Sequence, residues 1–241
     1  MTITERTLLD YLECPLRSPA IPAWESPILP CAEYTARWLT AELAKGHAPT
    51  CADTRGFFEN ELNQMISFQK GSPPKKYALW LRKGIHACFR LREILWRCEI
   101  LQPVTPYTLH IHPQAALTGE YAVLRSSRRK KHAVALYLRY QGVKIRPLVP
   151  DVVSFARCLD LGTLIPNHPD WGIESLGVLH YWISPDLSAE HTPDREAATQ
   201  VMLGAAGVLS GHPFPVPGAH CLSCPTRACH PKLPIPLSSD T

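Results

Sequence analysis

Four cysteines near the two ends of this chain are its strongest chemical signal. Cys14 stands in the first helix-like segment, and Cys221, Cys224 and Cys229 lie together in His220-Cys-Leu-Ser-Cys-Pro-Thr-Arg-Ala-Cys-His230. Thiolates are soft ligands, and four of them complete either a tetrahedral zinc site or an iron-sulfur cluster. A CxxC pair is moderately specific; a third Cys beyond a Pro-containing turn and a distant fourth sharpen it. One centre shared by all four would close the fold like a clasp. The alternatives are a pair of disulfides, or a local zinc knuckle of Cys221, Cys224, Cys229 and His220 or His230. The chain has nine cysteines, an odd and unevenly spaced set that does not look like a disulfide framework and so favours a metal centre in a reducing compartment. Cys31, Cys51, Cys88, Cys98 and Cys158 read as small buried apolar residues.

Charge is the second signal. The net charge of +4 is small, but Arg125, Arg128, Arg129, Lys130 and Lys131 crowd one polar loop. Lys70, Lys75, Lys76, Arg82 and Lys83 form a second group. Such cations neutralise phosphates with little sequence preference, and the competing reading is a loop kept polar for solubility. Trp80, Trp96 and Trp182 are candidates for base stacking, although aromatic residues in helices and strands belong more often to the core.

The elements that must position these residues follow from periodicity. Thr7 to Arg17 reads as a helix start, and Pro19 to Pro30 as an irregular crossing. Glu33 to Lys45 and Arg55 to Phe68 read as amphipathic helices divided by Gly46 to Thr54. After a break at Gly71 to Lys76, Tyr77 to Ile100 is a long helix with Gly84 as its candidate kink. Tyr107 to Ile111, Leu117 to Leu124 and Ala133 to Tyr140 read as strands, the last two joined by the basic loop. Asp151 to Leu164 returns to helix with Asp151 as cap, Gly177 to Ile183 is a strand, and Arg195 to Leu209 a closing helix. The fold class is therefore α/β or α+β, a short mixed sheet flanked by helices. At 241 residues and 45% hydrophobic, the chain can bury a substantial core. Met1-Thr2-Ile3-Thr4 lacks a signal-type opening, and no apolar run approaches bilayer length, so a cytoplasmic protein without membrane contact is expected.

Tyr11-Leu-Glu-Cys-Pro15, Gly84-Ile-His86, Gly119-Glu-Tyr-Ala122 and the tail from Gly211 to Cys229 together resemble the iron-sulfur RecB-like nucleases of the PD-(D/E)XK superfamily. That group includes the AddB nuclease domain and the CRISPR-associated adaptation exonuclease. The resemblance runs from about Thr7 to about Pro231, and its specific part is the terminal cysteine set. It implies a 4Fe-4S cluster on Cys14, Cys221, Cys224 and Cys229, with zinc as the alternative. It also implies a helical segment (1–76), a nuclease-like core (77–210) and a cluster-binding segment (211–231); the residues after it (232–241), rich in Pro and Ser, read as a flexible tail.

The resemblance further implies a metal held by a helix His, an Asp closing a Gly-x-x-Asp strand, and an acid on the next strand followed two residues on by a Lys. His86 fits the first position. Ala122 stands where the Asp belongs, and Tyr137 and Arg139 where the acid and Lys belong. Magnesium or manganese needs hard oxygen ligands, which Ala and Tyr do not supply. No intact catalytic set is expected; His86, Glu120 and Arg139 are candidate remnants. Taken alone, Glu120 reads as a solvated strand carboxylate and His86 as a packed helix residue. The expected role is a DNA-binding or scaffold subunit of a larger DNA-processing or defence assembly of the CRISPR kind, partnered by DNA and by other protein subunits. The alternative is an active divergent exonuclease using Mg²⁺ or Mn²⁺, in which Glu120 and another acid such as Asp151 have moved into the site. A zinc-stabilised interaction module with no DNA role is a third reading.

Overall fold

The computed structural model describes residues 2–5, 27–67, 75–112, 115–126, 128–141, 148–184 and 186–192. Along the chain these form β1 (Thr2–Thr4), α1 (Ile28–Ala44), α2 (Cys51–Ser67), α3 (Tyr77–Trp96), β2 (Cys98–His112), β3 (Ala115–Ser126), β4 (His132–Gln141), α4 (Leu148–Leu164), β5 (Ser175–Ser184) and β6 (Leu187–His191). The expected helices at Thr7 to Arg17 and Arg195 to Leu209, and all four clasp cysteines, lie outside the described residues.

A mixed six-stranded sheet forms the middle layer. β3 pairs antiparallel with β2 and β4, β4 runs parallel to β5 through the α4 crossover, and β6 folds back antiparallel on β5. Both faces are covered. Side chains alternate between them, so Ala122, Leu124, Leu136 and Leu138 meet Leu39, Phe58 and Leu91 of the α1–α3 layer. Tyr121, Val123, Ala135 and Tyr137 meet Val153 and Leu161 of α4. Continuous burial of β4 from His132 to Arg139 follows from this sandwiching. No helix among the described residues is long and apolar enough to cross a membrane.

Several boundaries differ from the sequence reading for identifiable reasons. α1 begins at Ile28 inside the expected Pro19 to Pro30 crossing, because Pro30 sits in its first turn, where a missing N–H costs nothing. α2 begins at Cys51 because Thr50 and Asp53 form a reciprocal cap: Thr50 N donates to Asp53 Oδ2 at 2.9 Å, and Asp53 N to Thr50 Oγ1 at 3.1 Å. The long helix stops at Trp96, not Ile100, and the chain turns directly into β2. Gly84 lies inside this unbroken helix and serves a close approach: a Cβ there would stand 1.9 Å from Phe58 Cζ. Asp151 is not a cap, since α4 begins at Leu148. Of the five remaining cysteines, Cys31 and Cys88 are buried as expected, Cys98 and Cys158 only partly, and Cys51 is exposed.

Candidate functional site

A fork in the sheet creates a cavity with a polar wall. β3 and β4 pair only at Val123↔Ala135, Leu124↔Val134 and Arg125↔Ala133. Past these pairs β4 stays with β5 as far as Gln141↔Ser184, while β1 runs parallel to β3 at Ala116, Leu117 and Thr118. A cavity of about 420 Å³ opens beside Gly119–Ala122, with an apolar floor of Ala36, Ala122, Leu136 and Leu138.

Its inner wall is a buried ion pair. Arg157 of α4 donates from Nε to Glu5 Oε1 at 2.7 Å and from Nη2 to Glu5 Oε2 at 2.6 Å. Its Nη1 donates to the Leu136 carbonyl at 2.5 Å, at the point where the β3–β4 ladder has ended. Tyr107 adds a 2.8 Å hydrogen bond from its hydroxyl to Glu5 Oε1. Burial works against the guanidinium charge, but the Glu5 carboxylate outweighs it and holds the Arg157 pKa above its ordinary value. Burial likewise raises the Tyr107 phenol, with Glu5 adding to the effect. Gly119 is required here, because a Cβ would meet Glu5 Cδ at 2.4 Å. Glu33 and Glu120 stand at the same cavity, and Glu120 is ion-paired with Arg37 of α1.

The positions singled out by the family resemblance do not converge. Ala122 faces the α1–α3 layer beside Leu136 and Leu138, whereas Tyr137 lies on the α4 side. There Arg157 and Arg139 sit over the Tyr137 ring at 4.4 and 5.4 Å. Ala122 therefore shares its face with Leu136, Leu138 and the Arg37-paired Glu120, and Tyr137 shares its face with Tyr121, whose hydroxyl donates to Asp160 at 2.6 Å; neither of the two aligned positions is itself a carboxylate. His86 is exposed, contrary to a packed helix residue, and its Nε2 lies 3.0 Å from Asp186 Oδ2. Asp186 also accepts from Tyr181 at 3.0 Å and occupies the left-handed region at φ 64°. Glu120 is no free strand carboxylate either, being held by Arg37. Among the described residues, no group of His, Cys, Asp and Glu side chains is arranged to hold a metal ion.

Behind Tyr137 lies a cluster that sequence reasoning missed. His180 is buried, its Nε2 is 3.1 Å from Ser154 Oγ, and its ring stacks on Trp182 at 5.0 Å. Burial first, then the Arg139 and His191 charges, press its pKa down to about 3. Its Nδ1 has no hydrogen-bond partner among the described residues. The only available signal was His at the buried phase of a strand, which by itself means core.

The basic turn is partly neutralised. Arg125 pairs with Glu99 at 2.9 Å and donates to the Trp171 carbonyl at 2.8 Å. Arg129 pairs with Glu190 at 2.8 Å and Lys131 with Glu174 at 2.5 Å. Arg128 and Lys130 are exposed and form no ion pair among the described residues. Of the tryptophans, Trp80 and Trp182 are partly buried, while Trp96 is 52% exposed.

No protein-family model and no curated protein matches this chain.

Proposed function

We propose that this protein is a catalytically degenerate iron-sulfur protein of the PD-(D/E)XK nuclease type, acting as a DNA-binding or scaffold subunit of a larger DNA-processing or defence assembly. The observation that carries the reading is the side chains at the two aligned positions: Ala122 with Leu136 and Leu138 on one face, where the neighbouring acid Glu120 is ion-paired to Arg37, and Tyr137 with Tyr121 and Arg139 on the other. A magnesium or manganese ion needs hard oxygen donors, and the two aligned side chains offer none that are charged at neutral pH. The separation of His86 and Glu120 supports the same reading, because each is held by a different partner, Asp186 and Arg37. A mixed sheet covered by helices on both faces is compatible with the nuclease class, and the terminal cysteines support its cluster. What such a protein retains is shape and surface charge.

The test is incubation of end-labelled single- and double-stranded DNA with the anaerobically purified protein and Mg²⁺ or Mn²⁺, alongside binding assays in EDTA. The expected outcome is binding without cleavage, unchanged by His86→Ala or Glu120→Ala. Strong Mn²⁺-dependent cleavage abolished by either substitution would overturn this reading in favour of an active, divergent exonuclease.

A further inference from the structure

We propose that the end of the sheet formed by Trp96, Arg97 and the turn after β3 is a docking surface for single-stranded DNA. This rests on the DNA-binding reading above and gives it a place and a strand type.

Chain geometry brings these residues together. Trp96 closes α3, Arg97 makes the turn, and Cys98 opens β2 directly opposite Ser126, the last residue of β3. Consecutive Cα atoms are ~3.8 Å apart and antiparallel partners roughly 5 Å, so Trp96 lies within about 13 Å of the start of the basic turn. Arg92 holds the indole from one side, its guanidinium carbon 4.8 Å from the ring centroid and its Nε donating to the Pro49 carbonyl at 2.6 Å. The ring is thus braced yet 52% exposed, a large apolar surface that folding leaves in water.

Arg97 next to it in the chain, and Arg128 and Lys130 in the turn beyond Ser126, are exposed and make no ion pair among the described residues. Three acids of this end, Glu99, Glu174 and Glu190, are paired with Arg125, Lys131 and Arg129 respectively. Unpaired cations at the same end of the sheet as a braced, open aromatic ring match a run of unpaired nucleotides, which offers phosphates and bare base faces together. In a duplex the base faces are hidden by stacking, and only the phosphates would be used. The fork cavity is the poorer place for a phosphate. Its lining carries Glu5, Glu33 and Glu120 against Arg157 alone, and it lies roughly 13–23 Å further down β3, from Ala122 to Gly119.

The experiment measures fluorescence anisotropy of labelled dT20 and of a 20-base-pair duplex with the full chain, across a NaCl series. The variants are Trp96→Ala, Trp96→Phe and the triple Arg97→Ala/Arg128→Ala/Lys130→Ala, each checked by thermal melting. Tighter binding of dT20 than of duplex is expected. Trp96→Ala should weaken dT20 roughly five- to a hundredfold at unchanged salt slope, and Trp96→Phe should restore much of it. The triple variant should flatten the slope by up to about two units, at ~0.7 per contact on a single strand. Binding of dT20 that ignores Trp96 and the triple substitution would overturn this surface while leaving DNA binding in place. Preference for the duplex would overturn the strand assignment. No binding of either probe at low salt would overturn the DNA-binding reading itself, and this surface with it.

Discussion

Glu5→Ala should be among the most damaging single substitutions in this chain, although it removes one carboxylate from a three-residue strand's edge. The Arg157 side chain is 7% exposed and that of Glu5 13%. Without Glu5, the guanidinium keeps the Leu136 carbonyl but loses both charge-assisted bonds, and it has little access to water. Removing one partner of such a buried pair costs about 3–5 kcal/mol, whereas an exposed pair such as Arg55–Glu59 contributes ~0.2–1 kcal/mol. For a domain of this size, that corresponds to a fall in Tm of roughly 6–20 °C. Arg157→Met also destabilises, by leaving the Leu136 carbonyl unpaired at about 1–3 kcal/mol and Glu5 without its counter-charge. The double variant Glu5→Ala/Arg157→Met strands no charge, so it should lose less than the sum of Glu5→Ala and Arg157→Met. Urea unfolding followed by tryptophan fluorescence measures all three, and burial predicts little dependence on added salt. A Glu5→Ala protein within about 1 kcal/mol of the parent, or strictly additive losses, would mean that Arg157 is solvated and the fork is not closed as described.

Three further outcomes follow from other parts of the molecule. Gly84→Ala should destabilise by more than about 1 kcal/mol, because its Cβ would overlap the fully buried Phe58 ring; a neutral effect in urea unfolding would show that α2 and α3 can separate freely. His180, with a folded pKa near 3 against an ordinary 6.5, stays neutral while the unfolded chain takes up a proton. Stability should therefore fall on acidification by up to ~1.4 kcal/mol per pH unit between about 6.5 and 3, and His180→Phe should flatten that slope in denaturation series from pH 7 to 4.5. Anaerobically purified protein should be brown with iron and sulfide in cluster proportions, and Cys14→Ala and Cys221→Ala should fail alike. A colourless zinc protein would remove the iron-sulfur proposal, and an intact centre in Cys14→Ala would remove the long-range one.

Local periodicity made much of the fold legible. α2, α3, β3, β4, α4 and β5 stand near where apolar spacing predicts them. β2 reads as only its last third, because Pro103 and Pro106 interrupt the strand pattern; the chain accommodates them with register shifts between Ile100 and Gln102 and between Gln102 and Thr105. β6 was invisible, since Leu187–His191 is exposed throughout and alternates nothing. The site was legible as a list of residue types but not as a geometry. Only the register Val123↔Ala135 shows that Ala122 and Tyr137 lie on opposite faces, and a register is a property of two strands at once. Glu5 and Arg157 carry no mutual signal, being 152 residues apart.

That separation also has a consequence in time. Thr2–Thr4 pair with Ala116, Leu117 and Thr118, and Glu5 is held by Tyr107 and Arg157. At ~5–20 residues per second, a ribosome needs roughly 8 to 30 s to travel from Glu5 to Arg157. The first strand of the sheet waits for the earlier part of that interval, until Ala116–Thr118 have been made, and Glu5 waits for all of it, while α1 to α3 already have one another. The high contact order of this closing step makes it a natural late event in folding, and places a bulky group fused ahead of Thr2 at the spot where it would most hinder completion of the sheet.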